Sequence, residues 1–217
     1  MTSPNIIAVV PAYNESKTIG TQVISLTPTV SRVIVVDDHS MDGTAETAED
    51  AGAFVLRHTK NAGYDASLND GFRVAAGMGA DIIFTFDADG EHSAADVPRI
   101  LGPILNGAAD IVAGQRPSVR HWGEWIFASY TRIRYGIPDP LCGFKAYRRS
   151  LYDAVGFFDS LQSIGTELML RGIQRGYRLE CVPITLHERG DGKSRFYRFN
   201  LRGNLRMLRA LWRVLWI

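Results

Sequence analysis

An apolar run that stops abruptly at two carboxylates is the feature that most restricts how this 217-residue chain can fold. The run extends from Ile82 to Phe86, and Asp87 and Asp89 follow it. Consecutive β-branched and aromatic residues of this length are typical of a strand buried on both faces of a parallel sheet. Such a strand delivers the residues after it to the carboxyl edge of the sheet, where open α/β sheets bind their ligands.

Asp87 and Asp89 are expected to point the same way, because alternate residues of an extended chain share a face. Ala88 between them lets the backbone approach a ligand closely. Two like charges at this spacing repel unless a cation or a donor lies between them, and hard carboxylate oxygens suit Mg²⁺ or Mn²⁺. An isolated triplet of this kind is more often a solvated acidic turn, so the context has to decide.

Shorter apolar runs precede this strand, and helical patterns separate them. This alternation predicts an α/β fold with a Rossmann-like, mostly parallel sheet flanked by helices and connected by right-handed crossovers. The expected strands are 6–10, 33–36, 54–56, 82–86, 111–113 and 179–184, with a further alternating strand that follows a turn near Pro140. A helix is predicted over 17–26 with Ser16 as its cap, and another after Ser93 should turn Leu101, Ile104 and Leu105 inward.

Polar side chains also follow other strands, and they should gather at the same edge. They are Tyr13 and Glu15 after the first strand, Asp37 and Asp38 after the second, and Arg116 after the fifth. No glycine pattern follows the first strand, which excludes a dinucleotide fingerprint and a phosphate-binding P-loop. A carboxylate at Asp38 can accept from a base N–H or a ribose hydroxyl, whereas the structural alternative for Tyr13 and Glu15 is a tight strand-to-helix turn.

Three further features of the second half have both a structural and a functional explanation. Asp139 lies between two prolines, and its simplest role is to form the turn. Glu167 and Arg171 are four residues apart on a predicted helix, as in a surface salt bridge. The loop 186–195 contains two glycines among basic residues, including Arg189 and Arg195, and is suited to gripping phosphates.

The last stretch of the chain is basic, since no acidic residue follows Asp191. Its arginines are Arg202, Arg206, Arg209 and Arg213, spaced so that they share one face of a helix whose remainder is leucine and tryptophan. This pattern favours an amphipathic helix (198–217) on an anionic membrane surface, next to a catalytic domain over 1–197. The alternative is a helix packed on the domain with solvated arginines.

The bulk properties restrict the remaining classes. Two cysteines are too few for a secreted disulfide framework, no signal peptide is visible, and no window of 18 apolar residues predicts a spanning helix. We therefore expect a cytoplasmic protein acting peripherally at the cell membrane. Arginines and aromatic residues alternate over 116–135, a pattern that fits nucleic acid or lipid head groups.

Four blocks in this order resemble family 2 glycosyltransferases, and among them the polyprenyl-phosphate glycosyltransferases such as the dolichyl-phosphate mannose synthases. The blocks are 11–15 (Pro-Ala-Tyr-Asn-Glu), 37–44 (Asp-Asp-His-Ser-Met-Asp-Gly-Thr), 87–92 (Asp-Ala-Asp-Gly-Glu-His) and 139–144 (Asp-Pro-Leu-Cys-Gly-Phe). Each is weak alone, but the set is specific and the resemblance covers about residues 6–195. The chain departs from the family pattern at Gly90, Glu91 and Cys142, and its segment between Arg116 and Asp139 is shorter. These departures bear on the identity of the acceptor.

The resemblance implies a GT-A fold and an inverting, Mg²⁺- or Mn²⁺-dependent transfer of a sugar from a nucleoside-diphosphate sugar (GDP-mannose or a UDP-hexose) to a polyprenyl phosphate. Asp89 and Glu91 are the implied metal ligands, and Asp89 and Asp139 the implied catalytic residues, with Asp139 as general base. The implied substrate contacts are Pro11, Tyr13, Glu15, Val36, Asp38, Asp87, Ala88, Arg116, Glu167, Arg171, Arg189 and Arg195. No nucleic acid is expected, and a partner subunit could supply a membrane anchor.

Other functions remain open from the sequence. Within the same family, the acceptor could be a sugar hydroxyl in surface-polysaccharide assembly. The run from Phe86 to Gly90 also fits a haloacid-dehalogenase-type phosphatase, although that motif normally opens the chain and is followed by Thr or Val rather than Glu91. A non-catalytic nucleotide-sugar-binding or membrane-scaffold subunit is the third alternative, although every expected acidic position is filled.

Overall fold

The computed structural model describes residues 3–117, 122–187 and 200–215. Its strands are β1 (Ile6–Ala12), β2 (Arg32–Asp37), β3 (Phe54–Arg57), β4 (Ile82–Thr85), β5 (Ile111–Gln115), β6 (Lys145–Arg148) and β7 (Leu179–Pro183). Its helices are α1 (Ile19–Leu26), α2 (Thr44–Asp50), α3 (Tyr64–Gly77), α4 (Val97–Leu105), α5 (Trp122–Tyr135), α6 (Arg149–Val155), α7 (Glu167–Gln174) and α8 (Asn200–Val214).

The strands form one sheet in the order β3-β2-β1-β4-β6-β5-β7. Only β6 runs antiparallel to its neighbours β4 and β5, while the remaining pairs are parallel. The predicted mostly parallel sheet flanked by helices is therefore confirmed. Because β6 is reversed, the residues that precede it lie at the same edge as the residues that follow the other strands.

Each face of the sheet carries its own apolar core. One core packs α1 and α4 against the sheet and includes Phe84, Phe86 and Phe144. The other packs α3, α5 and α7 on the opposite face around Phe72, Tyr147 and other aromatic side chains. Both faces of β4 are thus covered, which explains its uninterrupted apolar sequence.

Two local predictions are wrong. Helix α1 begins at Ile19, two residues later than expected, so its N-cap position is Thr18 and not Ser16. Ser16 lies in the preceding turn, where its N–H donates to Asp42 Oδ2 at 3.1 Å. Leu105 is 52% exposed rather than turned inward. It lies about 90° around α4 from the centre of the stripe formed by the buried residues Val97, Ile100, Leu101 and Ile104.

The C-terminal helix α8 packs against α5. Met207, Ala210 and Val214 are buried there and extend the second core, while Leu205, Trp212 and Leu215 are exposed. One side of α8 therefore packs on the domain, and contact of its exposed apolar side chains with a membrane stays a prediction. Within the described ranges, no helix is both long and apolar enough to cross a membrane.

Candidate functional site at the carboxyl edge of the sheet

The sheet brings most of the predicted site residues to one edge. Tyr13 and Glu15 follow β1, Asp38 follows β2, Asp87 and Asp89 follow β4, Arg116 follows β5, and Asp139 precedes β6. Val36 and Ala88 are at the edge in sequence, but their side chains are buried in the core. Any contact they make with a ligand would therefore be through the backbone.

Asp87 lies in the middle of this edge and is approached from three directions. The Tyr64 hydroxyl donates to Asp87 Oδ1 at 3.4 Å, and His92 Nδ1 lies 3.7 Å from Oδ2. Burial, followed by the charge of Asp87, raises the pKa of Tyr64, so this hydroxyl remains a donor. The third neighbour is Gly143, where a Cβ would overlap the carboxylate and lie 2.7 Å from Asp87 Cγ. A side chain at position 143 would therefore displace the Asp87 carboxylate.

Asp89 and Glu91 occupy the turn beyond Asp87. Gly90 between them has φ 80°, and the Glu91 N–H donates to Asp89 Oδ1 at 3.0 Å. In the described part of the chain, no three His, Cys, Asp or Glu side chains form a group that could hold a metal. The protein thus offers two carboxylates here and no closed metal cage.

The Asp38 carboxylate organises the loop that leads into α3. Its oxygens accept from the N–H groups of Ala62 at 2.7 Å and Gly63 at 2.8 Å, and His58 Nδ1 lies 2.8 Å from Oδ1. The side chain is only 6% exposed. Asp38 therefore fixes the loop before α3, and a ligand could use only the acceptor capacity that its carboxylate has left.

The turns after β1 and β2 are joined to each other. The Asn14 N–H donates to Ser40 Oγ and the Glu15 N–H to Thr44 Oγ1, each at 2.8 Å. Thr44 is the first residue of α2, and its hydroxyl therefore links this helix to the turn after β1. These bonds present the Tyr13 ring, which is 39% exposed, at the rim.

Arg116 and Asp139 form a closed ion pair. Arg116 Nε and Nη2 each donate to one carboxylate oxygen of Asp139 at 2.8 Å, and the Arg116 N–H adds a bond of 3.0 Å. Glu124 Oε1 lies 3.6 Å from Arg116 Nη1. Burial acts to lower the pKa of Arg116, but hydrogen bonding and charge from Asp139 more than offset it, so the pKa is raised. Asp139 is therefore the main hydrogen-bonding and ionic partner of Arg116.

Comparison with known proteins identifies the family of this chain. The family model described as glycosyl transferase family 2 matches residues 7–156, which run from the second residue of β1 to the residue after α6. The chain belongs to glycosyl transferase family 2.

Curated relatives of this glycosyltransferase cover most of its length. The undecaprenyl-phosphate mannosyltransferase of Micrococcus luteus is 32% identical over 213 residues, covering 88% of this chain and 86% of that protein. The polyprenol monophosphomannose synthase of Mycolicibacterium smegmatis is 30% identical, covering 90% and 82%. Among solved structures, glucosyl-3-phosphoglycerate synthase from Mycobacterium tuberculosis with Mn²⁺ and UDP-glucose has a TM-score of 0.77 at 22% identity, covering 97% of this chain and 79% of that one. The expected GT-A fold is thereby confirmed.

Glu167 and Arg171 of the glycosyltransferase form the predicted pair at 2.6 Å, but it is not a surface pair. The Glu167 side chain is fully buried, and its oxygens also accept from the N–H groups of Ser160 and Leu161. The Glu167 carboxylate therefore holds the loop that precedes α7. Arg189 and Arg195 lie outside the described residues.

Sequence reasoning missed three residues of this edge. Tyr64 and Gly143 contact Asp87 from other elements, and no local pattern indicates such contacts. Lys145 in β6 is completely buried, and its Nζ donates to the Gly165 carbonyl at 2.9 Å. Burial lowers its pKa. The available signal in the sequence is a single lysine among the mostly apolar residues 140–147, at the start of a strand.

Proposed function

We propose that this glycosyltransferase moves a sugar from a nucleoside-diphosphate sugar to a polyprenyl phosphate at a membrane surface, with inversion at the anomeric carbon. The names of the relatives from Micrococcus luteus and Mycolicibacterium smegmatis support this acceptor class. A further relative, the UDP-N-acetylglucosamine–dolichyl-phosphate N-acetylglucosaminyltransferase of Methanococcus voltae, is 32% identical over 175 residues.

The observation that carries the proposal is the Arg116–Asp139 pair. Asp139 is the general base that the resemblance implies. Both of its carboxylate oxygens, however, accept hydrogen bonds from Arg116, and the residue is 4% exposed. A carboxylate held in this way is poorly placed to take a proton from an acceptor. A sugar hydroxyl needs such a base, whereas a phosphate monoester has a second pKa near about 6 and is already anionic at neutral pH. The pair therefore favours a phosphate acceptor.

In the reaction, an oxygen of the acceptor phosphate forms a bond to the anomeric carbon from the side opposite the leaving group. The bond between that carbon and the donor diphosphate breaks, and the nucleoside diphosphate leaves. We assign the nucleoside and sugar contacts to the residues around Asp87, namely Pro11, Tyr13, Glu15, Val36, Asp38 and Ala88. We assign contacts with the phosphates to Arg189 and Arg195 of the basic loop.

Asp89 and Glu91 fit a divalent cation of the Mg²⁺ or Mn²⁺ type. They offer hard oxygen atoms from two side chains, and such ions usually complete their coordination with water and substrate phosphates. When bound, the ion would supply charge neutralisation to the leaving diphosphate. The bond from the Glu91 N–H to Asp89 Oδ1 holds both residues on one tight turn.

The α5–α8 pair is the proposed membrane-facing surface. Trp122 and Trp125 on α5 and Trp212 and Leu215 on α8 are each at least 50% exposed, and exposed arginines accompany them, including Arg209. Large aromatic side chains next to cationic ones suit the boundary between acyl chains and anionic head groups. A polyprenyl phosphate resides at that boundary.

A transfer assay tests the proposal. The protein is incubated with Mn²⁺ and radiolabelled GDP-mannose, UDP-glucose or UDP-N-acetylglucosamine, with polyprenyl phosphate, with polyprenol, or with a polyprenyl-linked sugar. We expect label in the organic phase with at least one donor and only when the phosphate is present. Transfer to the polyprenyl-linked sugar without transfer to polyprenyl phosphate would assign the enzyme to hydroxyl acceptors and refute the proposal.

A further inference from the structure

His92 is a buried side chain with an unused hydrogen-bonding atom that faces Asp87. Its side chain is 3% exposed, and Nδ1 lies 3.7 Å from Asp87 Oδ2, beyond hydrogen-bonding distance. Among the described residues, Nδ1 has no hydrogen-bond partner. A buried polar atom without a partner costs free energy, about 1–3 kcal/mol in general, and such an atom needs an explanation.

The imidazole cannot easily turn to another partner. Its ring packs against the rings of Phe86, with centroids 5.8 Å apart, and Phe144, with centroids 5.5 Å apart. Its backbone pairs with Leu186, and the adjacent His187 N–H donates to the Glu91 carbonyl at 2.8 Å. His92 is therefore anchored on two sides.

Asp87 is the less enclosed of the two side chains, because 28% of it is exposed at the open edge. Its Oδ1 is near the Tyr64 hydroxyl, so a small rotation of the carboxylate would change the distance of Oδ2 from His92. A displacement of under about 1 Å would complete a hydrogen bond of ordinary length.

We propose that His92 is a positioning residue for Asp87. The Nδ1–H group of the imidazole donates to Asp87 Oδ2 when a nucleoside-diphosphate sugar engages the carboxylate, and this bond fixes the plane in which Asp87 meets the donor. His92 itself contacts no substrate. The inference rests on the proposed function only in assigning the donor to Asp87.

The tautomer of His92 tests the geometry without any turnover. In ¹⁵N-histidine-labelled protein, a long-range ¹H–¹⁵N spectrum reports which ring nitrogen carries the proton, and the His92→Asn variant identifies the signal. We expect the proton on Nδ1, and we expect Asp87→Asn to shift that signal. A proton on Nε2 alone, with a spectrum that Asp87→Asn leaves unchanged, would overturn the inference even if the enzyme transfers sugar normally.

Donor dependence separates positioning from packing. We expect His92→Leu to raise the donor KM about tenfold with a change in kcat of less than about threefold, since uniform binding is lost. His92→Asn, whose amide nitrogen can take the place of Nδ1, should restore most of the donor affinity. Equal donor KM values for wild type, His92→Leu and His92→Asn would mean that the ring only fills space. A polyprenyl-phosphate KM that changes as much as the donor KM would also contradict the inference.

Discussion

The guanidinium of Arg116 binds both carboxylate oxygens of Asp139 across the boundary between β5 and β6. Asp139 is buried and the Arg116 side chain is only 14% exposed. Removing the Asp139 charge leaves Arg116 with the more distant Glu124 carboxylate, and the loss of one partner costs about 3–5 kcal/mol in comparable buried pairs. We expect Asp139→Asn to lower the free energy of unfolding by that order, measured by urea denaturation. The double variant Arg116→Met with Asp139→Leu should lose less stability than the sum of the losses in its two single variants, and a purely additive result would contradict a coupled pair.

The same substitution discriminates between acceptors. If Asp139 is held by Arg116 and takes no proton, Asp139→Asn should retain activity with polyprenyl phosphate to within about tenfold at a temperature where the variant is folded. Initial rates at matched folded fractions provide the measurement. A loss of more than about a thousandfold with the phosphate acceptor would show that Asp139 is needed as a base.

Gly143 leaves room for the Asp87 carboxylate, which a side chain at this position would displace. Gly143→Ala would place a methyl group against that carboxylate and push Asp87 out of position, so we expect the affinity for a nucleoside diphosphate with Mn²⁺ to fall at least tenfold. Isothermal titration calorimetry measures this. Gly102→Ala is the matched control, because a Cβ at this helical position meets no atom within 4 Å. Equal affinities in the two variants would contradict the role assigned to Gly143.

Removal of the divalent ion should stop turnover. We expect a chelator to abolish transfer and added Mn²⁺ to restore it, and we expect Asp89→Ala to remain inactive at any Mn²⁺ concentration. Thermal unfolding of Asp89→Ala in the absence of metal controls for misfolding, since a cooperative transition should remain even though the turn loses the bond from the Glu91 N–H. Full activity in the presence of the chelator would refute the metal assignment.

These predictions depend on contacts that the sequence indicates unevenly. The apolar runs correctly predict the strands and the carboxylates at their ends, because burial on both faces leaves a strong local pattern. The reversed direction of β6 leaves none, since it depends on pairing with β4 and β5. As a result, the partnership of Arg116 with Asp139 is invisible from the sequence. Glu167 and Arg171 show the same limit, because helical spacing predicts the pair but not that the loop at Ser160 buries it.

The apolar side chains exposed on α8 test the membrane contact. We expect the double variant Trp212→Glu and Leu215→Glu to lose binding to vesicles of phosphatidylglycerol and phosphatidylcholine, measured by sedimentation, while it still binds nucleoside diphosphate. The matched control is Ile24→Glu with Leu105→Glu, two residues of similar exposure on the opposite face of the sheet. Equal loss in both variants would point to a general effect of charge.

A pH dependence is expected at the far end of the sheet. Hydrogen bonding from Arg178 lowers the pKa of Asp110, and Arg148 lies 3.2 Å from the same carboxylate. Since the folded pKa is below the unfolded one, this stabilisation is complete above the unfolded pKa and disappears as pH falls through the folded pKa. We expect Asp110→Asn to cost about 1 kcal/mol at pH 7, after allowance for solvent screening of Arg178, and progressively less below about pH 4. Urea denaturation across pH measures it, and a cost independent of pH would contradict the assignment.

The structure of the transfer product tests the central claim most directly. After reaction with an α-linked nucleotide sugar and polyprenyl phosphate, ³¹P and ¹H NMR report how the sugar is attached. We expect the phosphomonoester signal to be replaced by a phosphodiester signal, with the sugar in the β configuration. A phosphomonoester signal that stays unchanged while the donor is available, or an α-configured phosphodiester, would contradict an inverting transfer to phosphate.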